Sequence, residues 1–173
     1  MSNFGLREAP LRTYTALRLL VLLGVVGNAA VARQGTSVTQ LVTIEVRPIT
    51  QISVSGDPNP LVITDASPGG DLLPVVDNHT TYSITTNLDN MKIVASIDEQ
   101  MPAGTKLMVS LSSSKATSSG VVELSDALSP VTVVSGLSRV TDKDQQISYV
   151  FAANADTPEL ESATRVVTLT VSN

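Results

Sequence analysis

Val-Thr-Gln-Leu-Val-Thr-Ile-Glu-Val-Arg-Pro-Ile, residues 38–49, is the stretch whose reading decides the fold. In an extended chain successive side chains point to opposite faces. Val38, Val42, Ile44 and Val46 therefore share one face, interrupted only by Gln40, while Thr39, Thr43, Glu45 and Arg47 share the other. Apolar against polar with a period of two is the pattern of a half-buried strand. Pro48 cannot donate to a ladder, so it bends or ends that strand. The pattern leaves open where the apolar face is buried, in the chain's own sheet or in a neighbouring copy.

The same alternation recurs downstream, and helical periodicity never outlasts a turn or two. Residues 49–55 put Ile52 and Val54 on one face, ahead of the turn cluster Gly56-Asp57-Pro58-Asn59-Pro60. A short strand is expected at 61–64, a loop at 65–71, and at 72–76 a strand that Pro74 confines to an edge. Residues 80–86 align Tyr82, Ile84 and Thr86, and 91–97 align Met91, Ile93, Ala95 and Ile97; with Asn-Leu-Asp-Asn between them, the two read as a hairpin. Leu107, Val109 and Leu111 alternate in the next strand, and Ser-rich residues 112–120 read as a flexible loop. Short strands at 121–124 and 131–134 precede a longer one at 145–153, in which Ile147, Tyr149 and Phe151 face together. After a polar loop, Val167, Leu169 and Val171 align in the last strand. Roughly nine to eleven short strands with turns between them are the signature of an all-β sandwich or barrel.

Composition agrees. Of the 141 residues that follow residue 32, Ser and Thr supply 36 and Val 19, the side chains that suit a pleated, half-buried surface. A membrane-spanning barrel needs aromatic girdles, and Tyr82, Tyr149 and Phe151 are the only aromatics in those residues. The expected fold is a single antiparallel β-sandwich.

Residues 1–32 read as a cleaved secretory signal peptide. Arg7, Arg12 and Arg18 form a basic region, residues 19–27 an apolar one, and Ala30-Val31-Ala32 a small-residue cleavage site. The apolar run falls short of the roughly 20 residues that cross a bilayer. The domain plan is then 1–32 signal peptide, 33–48 N-terminal strand or donor arm, and 49–173 sandwich. An exported chain with no cysteine is held together by its core or by assembly rather than by disulfides. The location expected is extracellular or at the cell surface, with the periplasm as the alternative.

The formal charge of −5 includes +2 from the leader, so the remainder is near −7. Nucleic acid and anionic membrane surfaces both call for basic patches, and neither is an expected partner. His79 is the only histidine, set between strands in Asp77-Asn78-His79-Thr80, and reads as a surface turn residue rather than a general base. Ser114-Lys115 lies in the Ser-rich loop, where a desolvated lysine is hard to build. Asp142-Lys143-Asp144 in a turn offers oxygen ligands for weak calcium binding, with a solvated turn as the simpler reading. No catalytic residue, metal site or cofactor is expected, and the chain is not read as an enzyme.

From its opening Val-Thr-Ile-Glu-Val at 42–46, Thr-Tyr-Ser-Ile-Thr-Thr-Asn at 81–87 with its preceding Thr80, and closing Val-Thr-Leu-Thr-Val at 167–171, the chain resembles bacterial secreted immunoglobulin-like or pilin-like β-sandwich domains. It lacks the paired cysteines and aromatic C-terminal pattern usual in chaperone-usher pilins. The resemblance implies a fibre or surface subunit. In such an assembly Val38, Val42, Ile44 and Val46 would fill the sheet of the next copy by strand addition, with Val167, Leu169 and Val171 marking the acceptor or pairing strand. Head-to-tail repetition of such a contact gives a homopolymer. The alternative is a monomeric secreted module that binds a glycan or a protein.

Overall fold

The computed structural model describes residues 37–173. The expected signal peptide and residues 33–36 of the expected arm lie outside the described residues. Two units separate, Met1–Thr43 and Ile44–Asn173. In the first, residues 37–43 are exposed and carry no β-structure. The second holds ten strands, and no helix occurs among the described residues.

Two antiparallel sheets face each other across one core, as in a β-sandwich. The larger sheet runs β1 (Thr50–Val54), β3 (Thr81–Thr86), β9 (Val140–Ala153), β5 (Thr105–Leu111) and β7 (Val122–Glu123), with β2 (Val75–Asp77) also on β9. The smaller runs β10 (Val167–Ser172), β4 (Met91–Ile97), β8 (Val131–Leu137) and β6 (Thr117–Ser118). β9 is long enough to serve twice: residues 140–146 pair with β3, and residues 147–153 pair with β5. Asp144, at φ 52°, sits where the β3–β9 register shifts, a bulge that bends the long strand between its two partners.

The core follows from the alternation. Tyr82 and Ile84 of β3, Leu107, Val109 and Leu111 of β5, and Ile147 and Tyr149 of β9 meet Ile93, Ala95 and Ile97 of β4 and Val133 and Leu137 of β8, all buried. The Tyr82 hydroxyl donates to the Ser112 carbonyl at 2.6 Å, so the deepest aromatic ring leaves no polar atom stranded.

Four expectations are corrected. The segments 80–86 and 91–97 do form strands, but not a hairpin: β3 lies in one sheet and β4 in the other. Each strand has one apolar face, and an arch through Asn87 to Asn90 turns those faces toward each other across the core. Residues 61–64 carry no strand; Leu61 packs against the core from a loop instead. The strand expected at 72–76 is β2, displaced beyond Pro74 to where every residue can join the β9 ladder. Asp142 and Asp144 lie within β9 rather than in a turn. No helix among the described residues is long and apolar enough to cross a membrane.

Candidate subunit interface

The two sides of the sandwich end differently. On one side the edges are β6 and β7, two residues each. Very short edge strands are a common protection against strand addition. On the other side the edges are the three-residue β2 beside β9, then β1, five residues, and β10, six residues. Neither Thr-Gln-Ile-Ser-Val nor Val-Thr-Leu-Thr-Val-Ser carries a charge or a proline, the usual devices that blunt an edge. β1 and β10 lie close to each other on this side and form the two lips of one seam.

Backbone phase shows what the seam offers. The Asp98 N–H donates to the Val166 carbonyl at 3.2 Å, just beyond the β4–β10 ladder. Hydrogen-bonded and non-bonded pairs alternate in an antiparallel ladder. Thr168, Thr170 and Ser172 therefore bond to β4, and the N–H and C=O groups of Val167, Leu169 and Val171 point to the open side. Bonds from Asn87 N–H to the Ile49 carbonyl and from Ser55 N–H to the Thr81 carbonyl likewise leave those of Thr50, Ile52 and Val54 open on β1. Val167, Leu169, Val171 and Ile52 pack against the core yet stay only half-buried. The strands beside them, β3 and β4, bury their apolar residues fully. Along the outer side of β1 runs a shallow trough lined by Gln51, Ser53, Ser83 and Thr85 with Thr50 and Ile52, hydroxyl-rich and without a titratable group.

Residues 37–49 are the second element. The alternation at 38–47 predicts a strand, and within the described chain these residues pair with none. Val38 is 90% exposed, Val42 69%, Ile44 89% and Val46 84%. Leu41, on the opposite phase, is 94% exposed. The Arg47 guanidinium bonds the Glu45 carboxylate at 3.1 Å, which puts these two side chains together on the polar face. At its root the segment is held by Asn87: Oδ1 accepts from Ile49 N–H and Nδ2 donates to the Arg47 carbonyl, each at 2.7 Å.

The remaining polar clusters are occupied by structural tasks. Asp142 is buried; both Ser113 Oγ at 2.7 Å and Ser114 N–H at 3.0 Å donate to its Oδ2, and Ser114 Oγ donates to Oδ1 at 2.8 Å. Burial alone would raise the Asp142 carboxyl, but these hydrogen bonds outweigh it and hold the group below its ordinary value. The Ser-rich loop expected to be flexible is thus tied to β9, and Ser114 Oγ is committed to a carboxylate rather than to Lys115. Asp144 faces solvent, away from Asp142, so the two do not converge on one cation. Among the described residues no three His, Cys, Asp or Glu side chains gather as a metal site. His79 is exposed, and its N–H donates to Asp77 Oδ2 at 3.1 Å. Burial again acts to raise the Asp77 carboxyl, and bonds from His79 and Asn59 bring it below its ordinary value. Tyr82, pushed up to about 12 by burial, stays a neutral donor.

Sequence reasoning expects Val38, Val42, Ile44, Val46, Val167, Leu169 and Val171 at a subunit interface. Near the last three the structure places the β1 edge, Thr50, Ile52 and Val54, and near the first four the Asn87 clamp. No local signal separates Asn87 from Asn90 in the same turn. Comparison of the chain with protein-family models, curated proteins and solved structures finds no match.

Proposed function

We propose that the chain is a secreted structural subunit of an extracellular filament or surface assembly, polymerising by N-terminal donor-strand addition. Residues 38–46 of one copy enter the seam between β10 and β1 of the next, where the open backbone groups of Val167, Leu169 and Val171 accept a new ladder. The sandwich is read as one of the immunoglobulin-like or pilin-like kind, and residues 1–32 as the signal that exports it.

One observation carries this reading: an alternating apolar segment is exposed on a chain whose longest uncharged sheet edge leaves its own apolar residues half-buried. Main-chain bonds contribute about 0.5–1.5 kcal/mol each, whereas a fully buried Val or Ile contributes about 1.5–3 kcal/mol. The side chains at 38, 42, 44 and 46 therefore supply most of the affinity, and the ladder supplies direction and register. Association costs about 4–15 kcal/mol in lost freedom, so several of these residues must act together.

The test is negative-stain microscopy and gel analysis of chains beginning at residue 33, with and without residues 33–48. Filaments and SDS-resistant ladders are expected from the first and not from the second. Monomers from the longer chain at every concentration would refute the reading.

A further inference from the structure

An arm and a seam that no strand among the described residues fills raise the question of what stops the arm from filling its own seam. The segment's root is placed to answer it. The bond from Asn87 N–H to the Ile49 carbonyl, 3.1 Å, extends the β1–β3 ladder one residue beyond β1, and the Asn87 side chain then holds Ile49 N–H and the Arg47 carbonyl on either side of Pro48. Pro48 has a fixed φ and no N–H of its own. Residues 47–49 are therefore tied beside the turn that joins β3 to β4, ahead of the start of β1.

That is also the end of the sandwich at which β10 finishes, since Ser172 pairs with Lys92 at the start of β4. To lie beside its own β10, the arm would have to reverse direction at residues 47–49, where the clamp holds it, and run parallel to β10. An arm from another copy meets no such constraint and is free to take the antiparallel pairing that β10 already makes with β4.

We propose that Asn87 is a positioning residue that bars self-capping, so that the partner filling the seam is a second copy of this chain. The inference rests on the donor-strand reading above. It makes Asn87 a determinant of who is bound rather than of how stable the subunit is.

The experiment compares three chains beginning at residue 33: wild type, Asn87→Ala, and a variant with Gly-Ser-Gly-Ser inserted after Arg47, which keeps Asn87 but gives the arm room to turn back. Sedimentation gives the monomer fraction, and amide exchange of the isolated monomers reads the open edge at Leu169 and Val171. Expected are a several-fold larger monomer fraction in both variants and, in those monomers, slow exchange at Leu169 and Val171 that wild-type monomers lack. If both variants polymerise as wild type does, or if their monomers exchange rapidly at both residues, the role of Asn87 is overturned and the assembly reading stands. A wild type that remains monomeric at all concentrations overturns the assembly reading itself, whatever the variants do.

Discussion

Ser114 occupies both oxygens of Asp142, its N–H bonding Oδ2 at 3.0 Å and its Oγ bonding Oδ1 at 2.8 Å. A carboxylate so held gains from being charged in the folded state. Because its folded pKa lies below the ordinary 3.8, its stabilisation is complete above that value and is lost as pH falls through the lower folded one. Asp77 shifts in the same direction and adds to the same acid limb. Asp142→Asn, which turns an amide donor toward the Ser114 N–H or Oγ, is expected to cost about 2–3 kcal/mol at neutral pH. Urea midpoints at pH 7 and pH 3 should show the gap between wild type and variant narrowing at the lower pH.

The Tyr82 hydroxyl gives a smaller and pH-independent effect. Tyr82→Phe keeps the ring in the core and removes one bond to the Ser112 carbonyl, in an exposed segment where water can replace it. The expected loss is about 0.5–1.5 kcal/mol, read as a lower urea midpoint with unchanged slope.

Position relative to the core should separate folding from assembly. Leu111, fully buried, is expected to cost about 2–5 kcal/mol on replacement by Ala. Ile44→Asp and Val46→Asp, at residues exposed in the single chain, should leave its unfolding within about 0.5 kcal/mol of wild type. The same two substitutions should abolish filaments under the proposed mechanism, because each would put a charge into the neighbour's seam. Unfolding curves and electron micrographs of the same preparations provide the check.

Amide exchange along β10 should alternate. In the monomer, Thr168, Thr170 and Ser172 exchange slowly through their bonds to β4, and Val167, Leu169 and Val171 exchange fast. Polymerisation should slow the second set and leave the first as it was. Uniform protection of all six amides in the monomer would mean that the edge is already covered.

Much of the sandwich was legible locally. In β3, β4 and β5 the period of two placed Tyr82, Ile84, Ile93, Ala95, Leu107, Val109 and Leu111, and all are buried. Which strands pair was not legible, because a strand with one apolar face satisfies a coplanar partner and a facing one equally well. That ambiguity is why the segments joined by Asn87 to Asn90 read as a hairpin and form an arch. The weak apolar run at 61–64 lacked any sign that Leu61 alone would reach the core, from a loop. Alternation put Val38, Val42, Ile44 and Val46 on one apolar face, but their exposure depends on the absence of a pairing strand among the described residues. Asn87 was out of reach altogether, since its role comes from the approach of residues 47 and 49 to a turn some forty positions later.

The two-residue edges β6 and β7 bear on the shape of any assembly. With one side of the sandwich ending in strands too short to recruit another, each subunit of the proposed assembly would offer one seam and one arm. A chain of such units would not branch, and its tips would be chemically unlike: one presents an unfilled groove, the other an unused arm. Such a thread has polarity, and a soluble peptide copying residues 38–46 would block growth at the groove tip alone.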